Sequence, residues 1–169
     1  MAWRRSKPKE AKTAAGQESE IGREIARTHG QWKRVLVPAV DMPYSMRSLE
    51  VAYRLAQGAG GTVSLAFILE VPRSLPLDAA LPEAEIVASS ALDDGREAAR
   101  PFRVTVEPFV HRTRNAADGI LKLIAQENID LLVLGGRPDG LRGLSSDLTK
   151  ELFRRATCEV VLDYIADEK

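Results

Sequence analysis

The sequence predicts an α/β protein with a mostly parallel sheet in a three-layer α/β/α sandwich. Three observations carry that expectation. Short aliphatic runs alternate with amphipathic helical stretches from about Lys33 onward. The run Thr62 to Val71 is apolar on both faces, with Val63, Leu65, Phe67 and Leu69 on one and Ala66 and Ile68 on the other, as suits a strand covered by helices on both sides. Aromatic residues make up only 5% of the chain, so the core is one of Val, Leu, Ile and Ala. Right-handed crossovers then place helices on both faces of the sheet.

In order, residues 1–31 read as a basic flexible tail. Arg4, Arg5, Lys7, Lys9 and Lys12 precede a short helix expected between Glu20 and His29 and ended by Gly30. Such a tail is either simply solvated or, with Trp3, a contact for anionic lipid or an acidic partner. Residues 32–169 form the folded domain. Arg34 to Val40 is a buried strand, with Pro38 near its end or at an edge. Pro43 is placed to start a helix. Leu49, Ala52, Tyr53 and Ala56 form that helix's apolar stripe, and Gly58, Gly60 and Gly61 stop it.

The second strand runs from Thr62 to Val71 and ends at Pro72. Pro82 to Ala99 is helical in tendency, with Ile86, Val87, Ser90 and Ala91 inward and Gly95 weakening its end. Phe102 to His111 alternates like a half-exposed strand, and Pro108 puts it near a sheet edge. Asn115 caps the next helix, whose stripe is Ala117, Ile120, Leu121 and Ile124. Leu131 to Leu134 is a buried strand. A helix from about Ser146 to Ala156, with Leu148, Leu152 and Phe153 inward, leads to a last strand, Cys158 to Ile165.

Lys+Arg and Asp+Glu are both 24 among 169 residues, and this balance argues against a general nucleic-acid binder. One cysteine, Cys158, permits no intrachain disulfide and no cysteine-based metal site, and it fits a reducing cytoplasm. His29 and His111 lie far apart in sequence, so no metal is expected. No apolar run is long enough to span a bilayer. No catalytic set is evident. Cys158, at the start of an apolar strand, reads as a small buried hydrophobe, and His111, beside Arg112 and Arg114, as a surface residue.

The chemistry concentrates in Asp130 to Ser146. An apolar strand breaks into Gly135, Gly136, Gly140 and Gly143 and ends on Ser145 and Ser146, which suit a helix N-cap. Strand, glycine loop and helix start can gather backbone N–H groups around a phosphate, or the glycines can simply allow a long surface loop. Ligands of such sheets bind beyond the carboxyl ends of the strands, where strand order reverses. If the first and fourth strands are neighbours there, Asp41 and the glycine loop share one crevice.

Val35 to Asp41, Leu69 to Pro72, Ala117 to Leu121, Asp130 to Gly135 and Arg154 to Val161, in that order, resemble a universal stress protein (UspA) domain. Glu70 to Pro76 and His111 to Ile120 are closer still to the variant fused to amino-acid permeases and cation antiporters. The resemblance implies a Rossmann-like, adenine-nucleotide α-hydrolase-like fold with five parallel strands in the order 3-2-1-4-5. It also implies a homodimer through the last strand, Cys158 to Ile165.

Many members bind ATP or AMP, so the resemblance implies an adenine-nucleotide site. Asp41, flanked by Ala39 and Val40, with Ser45 and Ile68, would form its adenine side. Gly135, Gly136, Arg137, Gly140, Arg142, Gly143, Ser145 and Ser146 would form its phosphate side. The phosphate signature is only half kept: Gly135 fits, but the second glycine position falls on Pro138, which has no N–H. Ser146-Asp147 stands where Gly-Ser or Gly-Thr belongs, and Asp147 would repel a phosphate. Arg137 and Arg142 would replace lost contacts by charge.

The expected function is a non-enzymatic regulatory domain of the cytoplasm with a degenerate nucleotide site. The alternatives are an accessory subunit of a membrane transporter, membrane-associated through that partner or the basic tail, and a slow nucleotide hydrolase.

Overall fold

The computed structural model describes residues 31–136 and 144–164. The tail and short helix expected before residue 31 lie outside the described residues. The chain alternates strand and helix throughout: β1 (Arg34–Val40), α1 (Met46–Ala59), β2 (Thr62–Glu70), α2 (Pro82–Ala98), a 3-10 turn (Arg100–Phe102), β3 (Thr105–Thr113), α3 (Ala116–Gln126), β4 (Leu131–Gly136), α4 (Ser146–Arg155) and β5 (Glu159–Tyr164). The five strands are all parallel, in the order β3-β2-β1-β4-β5. Helices α1 and α2 cover one face, over a core that includes Val35, Val37, Leu49, Tyr53, Leu65 and Phe67. Helices α3 and α4 cover the other, over Leu36, Ile68, Ile120, Leu132, Leu134 and Leu152.

Local chemistry sets the helix ends. Ser45 caps α1, its side chain accepting from the Ser48 amide. Pro43 therefore lies two residues ahead of the cap, not in the first turn. The helix runs through Gly58 and stops at Gly60, whose left-handed φ of 62° a side chain would strain. Asn115 caps α3 as the sequence indicates, through the Asp118 amide.

Of the four residues expected inward on helix α2, Ala91 is buried and the other three are not. Ala88, Ala91, Leu92 and Gly95 are buried, whereas Ile86 is 69% exposed and Val87 and Ser90 also face solvent. Small residues let α2 lie close to the sheet. A Cβ on Gly95 would stand 2.6 Å from Leu65 Cδ1, and the Gly95 carbonyl accepts from the Tyr53 hydroxyl at 2.5 Å. Phe153 of α4 is likewise 47% exposed, and Thr149 and Leu152 are that helix's buried residues.

The two strand prolines have opposite settings. Pro108 sits on the edge strand β3 with its missing amide on the solvent side, because odd-numbered residues such as Thr113 face β2. Pro38, by contrast, is inside the central strand. Lys33 O accepts from Thr62 on the β2 side, and Arg34 points both amide and carbonyl at Asp130 on the β4 side. Even-numbered residues of β1 therefore face β4, and Pro38 has no N–H to give there. The ladder to β4 consists of Val35↔Leu131 and Leu36↔Leu132, against seven pairs from β1 to β2. The two strands part at their carboxyl ends.

Candidate functional site

The parting of β1 from β4 falls at the point where strand order reverses, so a crevice opens at the carboxyl rim. Part of it is filled by the chain itself. Leu144, returning from the glycine loop, donates its amide to the Gly135 carbonyl at 2.7 Å and makes a parallel bridge with Gly136. What remains is a cleft of about 410 Å³ between the ends of β1 and β2 and the starts of α3 and α4. Val40, Asp41, Ala116, Ala117, Leu144 and Leu148 supply much of its wall.

Asp41 is where the chain leaves β1. Its φ of 55° is left-handed, a conformation that Asp adopts more readily than most residues. Burial, and then the neighbouring Glu70 carboxylate, push the Asp41 carboxyl above its ordinary value. Glu70, Asp147 and Glu151 also line the cleft, and among the described residues its wall carries no basic side chain. Glu151 is paired with Arg155 at 2.7 Å, and Arg155 also reaches Asp118 at 3.0 Å.

Of the site residues read from the sequence, the structure brings Val40, Asp41 and Ser145 to this cleft. Ser145 is the N-cap of α4, with its side chain accepting from the Leu148 amide. Ser146 is exposed and lies with Gly136 on a separate groove that includes Phe153, Leu162 and Tyr164. Ile68 is fully buried in the α3-side core.

Ala39 and Ser45 border a second, much smaller gap together with Pro38, Tyr44, Ser48 and Gly135. In that gap Gly135 is pressed against α1: a Cβ there would stand 2.3 Å from Ser48 Oγ and 3.1 Å from Ser45 Cβ. The Tyr44 hydroxyl is buried without a hydrogen-bond partner among the described residues. Arg137, Gly140, Arg142 and Gly143 lie outside the described residues.

Glu70, Asn115 and Glu151 line the cleft without having been marked as site residues. The available signal was position: Glu70 is the polar residue that closes an otherwise apolar strand at its carboxyl end. Cys158 and His111 are not among the residues lining the cleft. Burial raises the Cys158 thiol, while burial and then Lys122 lower His111. No group of three or more His, Cys, Asp or Glu suited to a metal ion occurs among the described residues.

A five-stranded parallel sheet in this order defines the class: a doubly wound α/β protein, here with a cleft at the rim where the strand order reverses. The family model for the universal stress protein family matches residues 31–162, and the chain belongs to that family. Among solved structures it is similar to a universal stress protein from Archaeoglobus fulgidus, with 17% identity, a TM-score of 0.63, and coverage of 78% of this chain and 98% of that one.

It is also similar to a universal stress protein in complex with cAMP, with 19% identity, a TM-score of 0.62, and coverage of 78% and 97%. A third is a family protein from Arabidopsis thaliana with AMP bound, with 16% identity, a TM-score of 0.54, and coverage of 78% and 91%. At these identities the likeness is one of fold. Among curated proteins none matches.

Proposed function

We propose that this chain is a non-enzymatic regulatory domain that responds to an adenine compound held in the cleft beside Asp41. The observation that carries the reading is Asp41 itself, turned left-handed at the end of β1 and facing a cleft of about 410 Å³ at the strand reversal. Its carboxylate is placed to accept from an exocyclic amine or a hydroxyl. That relatives of the same fold carry cAMP and AMP supports the choice of ligand.

The phosphate side is weak on this reading. Leu144 runs alongside Gly136, Ser48 closes over the Gly135 α-carbon, and Asp147 stands in the first turn of α4. Isothermal titration with ATP, ADP and AMP, with and without magnesium, tests the proposal. AMP is expected to bind at least as tightly as ATP, with no magnesium dependence. Tight, magnesium-dependent ATP binding would reject it.

Pairing of two copies through β5 completes the reading. The even-numbered residues of that strand turn their amides and carbonyls outward, away from β4. Leu162 and Tyr164 are exposed there, and among the described residues no strand covers that edge.

A further inference from the structure

Strand β5 gives none of the described residues that line the cleft, yet it is tied to both of its walls. The first tie is Asp163, whose carboxylate accepts from Arg47 Nε at 2.9 Å and from the Ser48 hydroxyl at 3.2 Å. Both donors lie in the first turn of α1. Asp163 stands beside Gly135 in the register of β4 and β5, so the contact reaches over β4 at a residue with no side chain. Ser45 caps that same turn, and the short segment before it carries Asp41 and Met42 of the cleft wall. Asp163 is also the one charged residue buried among the described residues. A buried ion pair adds little stability for its desolvation and is better suited to fixing a geometry. The second tie is α4. Its Asp147 and Leu148 line the cleft, its Ser146 and Phe153 line a groove against Leu162 and Tyr164 of β5, and Leu144 lines both.

We propose that pairing of a second copy along β5 and filling of the cleft favour each other, with Asp163 as the positioning residue that links them. The inference rests on the adenine-binding and pairing readings above and names the regulation of that same site. A partner strand would bond the outward amides and carbonyls of Leu162 and Tyr164, on either side of Asp163, and so fix its carboxylate. A fixed Asp163 holds the first turn of α1, and with it the segment that carries Asp41. The wall ordered by one event no longer has to be ordered in the other, so the coupling is positive, and linkage makes it equal in both directions.

Sedimentation equilibrium of the full chain, with and without saturating AMP, tests this. The dimer dissociation constant is expected to fall about fivefold or more with AMP, and calorimetry should show AMP weakened by the same factor in monomeric Leu162→Lys. Asp163→Asn keeps the volume and an acceptor but gives up the charge on Arg47. It is expected to dimerise like the wild type without AMP and to lose most of the gain on adding it. A role in stability alone would instead lower its thermal midpoint and leave the gain intact, which would overturn the inference. Should that variant not fold, Ser48→Ala is read in its place. Equal dimer constants with AMP bound and absent would also overturn the inference. A wild type that stays monomeric at every concentration would sink the pairing, and the inference with it. No AMP binding at all would sink the adenine-binding reading, a result distinct from equal constants with AMP bound.

Discussion

Asp41 combines two local costs. Its backbone is left-handed, and its carboxyl is raised by burial and by Glu70. Because the folded state holds that proton more tightly than the unfolded state, Asp41 favours folding most below its ordinary value of 3.8. The advantage is lost as pH rises through the higher folded-state value. Asn is neutral and accepts the same backbone conformation. Asp41→Asn is therefore expected to raise the thermal midpoint at pH 7 and to lose that gain near pH 3. The gain is below about 1 kcal/mol, since the group is partly solvated; a series of melts across pH checks it.

Gly135 gives a second test at this scale. Its missing Cβ leaves room for Ser48, whose hydroxyl donates to Asp163 at 3.2 Å. Gly135→Ala should cost about 1–3 kcal/mol by overpacking, and Ser48→Ala in the same chain should recover part of that, as a double-mutant cycle by denaturant melts would show. That Asp41 would stand at the end of β1 was legible from an apolar run meeting one acid. The closure of Gly135 under Ser48 was not, because it depends on residues 87 positions apart being brought together by the fold.

Among the elements, β1, β2 and β4 were plain in the sequence because fully buried strands read as unbroken aliphatic runs. Helix α2 shows why such reading fails elsewhere. Ile86 and Val87 face solvent, and the face against the sheet is made of Ala88, Ala91, Leu92 and Gly95, three of them small. Weighing residues by hydrophobic size selects the wrong stripe where close approach demands small ones. Ile86→Gln should accordingly change stability by less than about 0.5 kcal/mol, while Leu92→Ala should cost about 2 kcal/mol or more in denaturant melts. Pro38 was half legible. A proline argues for a strand end or an edge, and here it sits two residues from the end of a strand that is central in the sheet, with no N–H to give toward β4.

For the whole molecule, the strand order and the meeting of Asp41 with the start of α4 followed from the alternating pattern and the family resemblance. The gathering of acidic groups among the described residues of the cleft did not, because Glu70, Asp147 and Glu151 come from two elements far apart in sequence. The two sheet edges differ. Pro108 interrupts the outer face of β3, whereas β5 carries no proline and exposes Leu162 and Tyr164. A second copy is therefore expected along β5. Light scattering after size exclusion should show a dimer for the wild type and a monomer for Leu162→Lys; a monomeric wild type would contradict the pairing.

The short ladder between β1 and β4 has a consequence for motion. Among the described residues, two residue pairs are the strand-to-strand register joining β3-β2-β1 to β4-β5. Side chains reinforce the join: Asp130 accepts from the Lys33 and Arg34 amides, and Arg47 and Ser48 hold Asp163. Cooperative opening follows the thinnest seam. Strands β4 and β5 with α4 should swing away as one unit while β1, β2 and β3 stay zipped, and deuterium uptake should record it as a shared, lower protection across β4 and α4. An occupant of the cleft, touching both sides of that seam, would act as a clasp and slow the exchange.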